Sequence, residues 1–246
     1  MNNERITWIS KNDPVEAFPP ATAALSEPDG LLAVGGDLSI DRLIHAYING
    51  IFPWFDESQP IMWWSPNPRC VLLPNKFHIA RSLKRKFKNS NIIIKVNSAF
   101  STVIRECAKP RRSMQGTWIT EEMIKAYETL HLHGWAHSIE IWKSNNLVGG
   151  IYGIVIGRIF FGESMFSHLS NASKISLLFI ANHLNSGTLR LLDCQIISSH
   201  LLKLGAIPMP RSKFIRKLKD QCNPVSKFKD WHQHEIICSQ LFDKYI

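Results

Sequence analysis

The first sign of chemistry in this chain is a carboxylate set in an otherwise apolar run, Leu191-Leu192-Asp193-Cys194-Gln195. Such a run reads as a strand. Side chains alternate along strands, so Asp193 and Gln195 share one face while Leu192 and Cys194 share the other. Burying a carboxylate without partners is costly, so Asp193 and Gln195 form either a hydrogen-bonded structural pair or part of a site. Cys194 faces away from both, which argues against a Cys–Asp–His nucleophile with His137 or His200 as base; it reads as a small hydrophobe. A second isolated acid, Glu163, stands in FFGESMFS (160–167). It suits a salt bridge to a core arginine or the reception of a cationic substrate group, and Gly162 beside it signals a bulge or a close backbone approach. Cys222, His232, His234 and Cys238 match no usual zinc spacing, so no metal and no other cofactor is expected.

The charge is strongly localised. From Arg69 to Arg112 there are twelve Lys/Arg and one acid, Glu106, a net +11 against +9 for the whole chain. A second basic run holds Lys203, Arg211, Lys213, Arg216, Lys217 and Lys219. Clustering of this kind points to a polyanionic partner. The segment 52–69 adds Trp54, Trp63 and Trp64 with four prolines, a stiff aromatic surface that favours a nucleic acid with unpaired bases over a membrane. Gly35-Gly36-Asp37 lacks a phosphate-loop pattern and reads as a tight turn.

The elements that must position these groups are legible in part. The 246 residues are 45% apolar and 20% charged, which suits a globular protein. No apolar run approaches a membrane span, and the start MNNERITW has no secretory pattern, so a cytosolic protein is expected. The five cysteines are scattered, which argues against a disulfide framework. Residues 1–65 form a small N-terminal α/β unit, with a helix after Ser39 that carries Leu43, Ile44, Ala46 and Tyr47 and stops at Gly50. Residues 66–246 form the second unit. Thr120 caps a helix to residue 132; strands follow at 136–142, 147–156 and 158–165, then a helix at 171–184, a strand at 189–195 and a short helix at 200–204. That order predicts an α+β protein whose C-terminal domain is GNAT-like, an acyltransferase fold with a mixed sheet that splays between its fourth and fifth strands.

In order along the chain, GLLAVGGDLS, AYINGIFPWF, PIMWWSPNPR, GTWIT, HSIEIW, GGIYG, FGESMFS, NASK and DCQ resemble the bacterial leucyl/phenylalanyl-tRNA–protein transferases. The resemblance implies a monomeric enzyme that transfers leucine, phenylalanine or methionine from aminoacyl-tRNA to the α-amino group of proteins beginning with Arg or Lys, marking them for degradation. It implies Trp54 and Trp118 as stacking platforms for the 3′ adenosine, with Tyr47 and Tyr127 nearby, and Lys84, Arg85 and Lys86 on the phosphates. It implies an aminoacyl pocket of Ile151, Phe160, Met165, Leu177, Ile180, Leu184 and Leu192. Glu163 would attract the cationic acceptor residue. Asp193 and Gln195 would be catalytic, either through a relay in which Asp193 polarises the Gln195 amide or by aligning amine and ester; positioning is favoured because an amide is a poor base. Where relatives carry Asn or Thr shortly after DCQ, this chain has Ser198-Ser199. The rival readings are a CoA-dependent N-acetyltransferase and a noncatalytic RNA-binding module. The first needs a glycine-rich pyrophosphate cradle, and the junction SHLSNAS (167–173) has no glycine.

Overall fold

The computed structural model describes residues 6–88, 90–109, 117–223, 231 and 235–243. Its first part contains β1 (Thr7–Ile9), β2 (Leu31–Gly35), α1 (Ile40–Ile48), β3 (Phe52–Pro53) and β4 (Met62–Trp64). These strands form a four-stranded sheet in the order β1-β2-β4-β3, the first pair parallel. Ser39 opens α1 by position, but its hydroxyl makes no cap. Asp37 does the local bonding instead, accepting from the Ser39 amide at 2.7 Å and from Arg42 Nε at 3.0 Å.

The remainder is built on β5 (Arg69–Leu72), α2 (Arg81–Lys88), β6 (Ile92–Val96), α3 (Phe100–Ala108), α4 (Glu121–Leu132), β7 (Ala136–Lys143), β8 (Asn146–Ile156), β9 (Ile159–Ser167), α5 (Ala172–Asn185), β10 (Leu191–Gln195), α6 (Ser199–Lys203), β11 (Ile207–Met209), α7 (Arg211–Gln221), β12 (Glu235–Ile237) and α8 (Cys238–Asp243). Eight strands make one mixed sheet, β11-β5-β10-β9-β8-β7-β6-β12. The predicted hairpins are present, and β7 and β8 turn through Ser144 and Asn145, both at positive φ as a tight hairpin turn requires. Thr120 caps α4 as expected, its Oγ1 accepting from the Met123 amide. Among the described residues of this sheet, only β9 and β10 pair in parallel, bridged by α5. The fold is therefore α+β with a mixed sheet, as the element order predicts.

Each face of the large sheet has its own core. One face gathers Tyr152, Ile154, Phe161 and Leu191 with α3, α4 and the N-terminal sheet, so Phe52, Trp63 and Tyr47 belong to the same core as Met123 and Phe214. The other packs Ile139, Ile151, Val155, Phe160 and Leu192 against α5, whose Ile175, Leu178, Phe179 and Ala181 are all buried. A helix so uniformly apolar must be covered on most sides. No helix among the described residues is long and apolar enough to cross a membrane.

Candidate active site

The parallel pairing of β9 and β10 covers three residues on each strand, ending at Phe161 and Asp193. Beyond that point the strands part, and both carry an irregularity there. In the β8–β9 ladder Tyr152 pairs with Ser164 and Gly153 with Gly162, which leaves Glu163 as the extra residue of a bulge. In the β5–β10 ladder the register shifts between Asp193 and Gln195, and Gln195 takes a left-handed φ of 61°. Bulges re-aim side chains. Here they turn Glu163 and Gln195 toward each other across the gap, with Gln195 Nε2 donating to Glu163 Oε1 at 2.8 Å. Since the amide NH₂ meets a carboxylate, Gln195 Oε1 is the atom left to accept a hydrogen bond.

A cavity of about 490 Å³ opens at this parting. Glu163 and Gln195 supply its polar wall, and Ile151, Met165, Leu177, Leu192 and Leu201 line it with apolar surface. Trp54 and Trp118 stand at it as well, beside Phe52 and Pro53. Trp54 is braced by Trp64, whose indole N–H donates to the Trp54 carbonyl at 2.7 Å and whose ring meets it edge-on at 5.7 Å. Four of the seven aminoacyl-pocket residues named from sequence therefore line the cavity. Phe160, Ile180 and Leu184 do not: they lie in the α5 core, Phe160 against Trp231 at 5.3 Å.

Tyr47 and Tyr127 depart further from expectation. Both are fully buried and closed to a stacking nucleoside. Their hydroxyls hold Glu163 instead, Tyr47 on Oε1 at 2.7 Å and Tyr127 on Oε2 at 2.9 Å, with 2.5 Å between the two phenol oxygens. Three such contacts need three protons, and two phenols supply two. A proton on Glu163 completes the ring. Burial raises the Glu163 carboxyl to about 7, against the lowering pull of Tyr47, Tyr127 and Gln195, and Asp193 adds repulsion. The carboxyl therefore titrates near neutral pH. Burial likewise pushes both phenols well above their usual range, so they remain donors.

Asp193 does not line the cavity. Its carboxylate is fully buried and held in a fork by Arg69, Nε to Oδ1 at 2.9 Å and Nη2 to Oδ2 at 2.7 Å. Asp193 Oδ1 also accepts the backbone N–H of Gln195 at 2.9 Å, which supports the left-handed turn there. The Arg69 guanidinium lies over the rings of Phe52 and Phe214, 4.5 and 4.9 Å from their centroids. Arg69, counted in the basic tract from sequence, is thus a core residue. A carboxylate in an apolar strand demands a partner, and that demand is the only signal that points to it. Cys194 lines the cavity, yet hydrogen bonding with Cys70 and burial push its thiol well above the usual range, so it stays protonated.

Apart from buried Arg69 and exposed Lys76, the basic tract divides in three. Lys95 pairs with Glu235, Arg105 with Glu121, and Lys109 with Glu106. Arg111, Arg112 and the Lys88 side chain lie outside the described residues, as do His232 and His234. Arg81, Lys84, Arg85 and Lys86 remain on α2, without an ion pair among the described residues; all but half-buried Lys84 are exposed. His131 and His137 are tied into the fold, His131 by the Ala136 carbonyl and His137 by Asn97, and burial lowers His137 to about 4. Ser198 caps α6 by accepting the Leu201 amide, a local use for the serine pair that follows DCQ.

A family model described as leucyl/phenylalanyl-tRNA protein transferase matches residues 71–219, and that family's N-terminal domain model matches residues 36–67. The leucyl/phenylalanyl-tRNA–protein transferase of Nitrosospira multiformis is 48% identical over 233 residues, 94% of this chain and 99% of that one. That of Idiomarina loihiensis is 54% identical over 211 residues, 85% of this chain and 89% of that one. Among solved structures, a GCN5-related N-acetyltransferase from Kribbella flavida is 8% identical with a TM-score of 0.37, covering 68% of this chain and 59% of that chain. With the family model spanning more than half of the sequence and close relatives aligned over nearly all of it, the chain belongs to the leucyl/phenylalanyl-tRNA–protein transferase family.

Proposed function

We propose that this protein, acting in the cytoplasm, transfers leucine, phenylalanine or methionine from aminoacyl-tRNA to the α-amino group of proteins beginning with Arg or Lys, and so marks them for degradation. The observation that carries this reading is the cavity at the β9–β10 parting, with aromatic, apolar and Glu163–Gln195 walls facing one space. The 3′ adenosine stacks at Trp54 and Trp118, and the aminoacyl side chain lies against Ile151, Met165, Leu177 and Leu192. The exposed cations of α2 neutralise acceptor-stem phosphates.

In the transfer, the acceptor's neutral amine attacks the ester carbonyl. A C–N bond forms, the ester C–O bond breaks, and one amine proton ends on the ribose oxygen. Gln195 Oε1 accepts a hydrogen bond from the amine and aims its lone pair, while ionised Glu163 draws in the cationic N-terminal residue. Asp193 acts through the backbone of Gln195, because its own oxygens are engaged by Arg69 and the Gln195 amide. That arrangement favours positioning over a relay through the Gln195 side chain.

The test is a transfer assay with labelled Phe-tRNA and a protein beginning with Arg. Label in the protein, lost when the N-terminus is changed to an acidic residue, supports the reading. Label retained only as an RNA-bound complex would reduce the protein to a binding module.

A further inference from the structure

A second cavity of about 310 Å³ adjoins the first, and His200 lines both. Lys86, Lys174 and Lys203 line it with His78, Ser82 and Asn171, and no Asp or Glu is among its lining residues. The three lysines come from different elements, α2, α5 and α6. None of them makes an ion pair among the described residues, unlike Lys95, Arg105 and Lys109 of the basic tract. The cavity also receives the first turns of α2 and α5, through Ser82 and Asn171, and the N-terminal ends of helices carry partial positive charge. Lysines that converge on one concave space repel each other unless an anion occupies it. The His200 ring registers that field: burial lowers its proton affinity, and Lys174 and Lys203 lower it further.

We propose that this cavity is a phosphodiester site for the unpaired 3′ end of the RNA donor, holding the backbone just 5′ of the nucleoside seated at Trp54 and Trp118. The assignment rests on the transfer reading above and deepens it. A ligand that fills the first cavity with an aminoacyl nucleoside continues as a chain of phosphates, and the second cavity is the acid-free space that shares a wall with the first. Lys174 and Lys203 are therefore binding residues for single-stranded backbone, distinct from the exposed residues of α2 available to the duplex stem.

The experiment measures binding and transfer separately. Fluorescence anisotropy with a labelled six-nucleotide RNA ending in CCA compares the wild-type protein, Lys174→Ala/Lys203→Ala, and Lys219→Ala/Lys217→Ala on α7, which removes the same charge elsewhere. The cavity variant should bind about tenfold more weakly or worse, and its salt dependence should lose about 0.7 in log–log slope for each phosphate contact removed. Lys174→Arg/Lys203→Arg should restore most of the binding. In transfer, the cavity variant should lose at least tenfold in kcat/KM with Phe-tRNA but less than twofold with 3′-phenylalanyl-adenosine, which carries no phosphate. RNA affinity equal to that of the α7 variant overturns the site. Equal losses with both donors also overturn it, since they would mean damage to the first cavity. Should the wild type bind this RNA through Lys174 and Lys203 yet transfer nothing, the transfer reading fails while the phosphodiester site stands.

Discussion

Arg69 and Asp193 form a buried pair whose removal can be worked from geometry. Arg69 is 1% exposed and Asp193 0%; two hydrogen bonds of 2.9 and 2.7 Å join them, and the guanidinium lies over two aromatic rings. Arg69→Met leaves Asp193 charged, buried and deprived of its fork. Breaking such a pair costs about 3–5 kcal/mol. For a chain of this size that corresponds to a fall in Tm of about 6–20 °C. Arg69→Met/Asp193→Leu removes both charges, and replacing a buried pair by apolar groups is close to neutral. The double variant still strips the Gln195 amide of its acceptor, a loss of about 1–3 kcal/mol. It should therefore be more stable than the single variant, yet poor in transfer, because Gln195 is no longer held at its left-handed φ. Urea unfolding gives the stabilities, and the Phe-tRNA assay gives the activity. The reasoning is refuted if Arg69→Met unfolds within about 1 kcal/mol of wild type, below the range for a broken buried pair. It is refuted equally if the double variant shows the sum of the two single losses, since additivity would mean that the residues do not interact.

Four further outcomes are expected. Glu163 titrates at about 7 when folded and near 4.5 when free, so the folded state binds the proton more tightly and loses stability as pH rises from about 4.5 through 7. The total is about 3 kcal/mol, and Glu163→Gln should flatten that slope in unfolding measured from pH 4 to 8. The kcat/KM for an Arg-starting acceptor should rise through about pH 7 in wild type, with that step absent in Glu163→Gln. Trp118→Ala should weaken aminoacyl-tRNA use by about 1–3 kcal/mol, seen as a raised KM. Gly205 sits at φ 98°, and a Cβ there would lie 1.7 Å from the Lys76 carbonyl oxygen, so Gly205→Ala should destabilise by about 2–4 kcal/mol in the same urea assay.

Local pattern determined much of this protein. Thr120 marked the start of α4, Ser144-Asn145 set the β7–β8 hairpin, and the run 191–195 marked β10, although the register shift between Asp193 and Gln195 breaks the alternation there. Those features depend on neighbours within a few residues, which a sequence displays directly. Element order then sufficed to predict a splayed mixed sheet. Strands β5, β11 and β12 escaped notice because three or four residues carry little periodicity, and β6, α3 and α7 were not marked either. Only the tertiary structure decided what each polar group does. Arg69 looks like one cation among twelve until it meets Asp193, 124 residues away, and Tyr47 and Tyr127, 80 residues apart, become the clamp of Glu163 instead of neighbours of the bound nucleoside. Phe160, Ile180 and Leu184 have the apolarity of pocket residues but lie in the core, away from the cavity. Composition cannot separate those two fates, because a cavity is a property of how strands part, and the bulges at Glu163 and Gln195 that part them arise from pairing with partners distant in sequence.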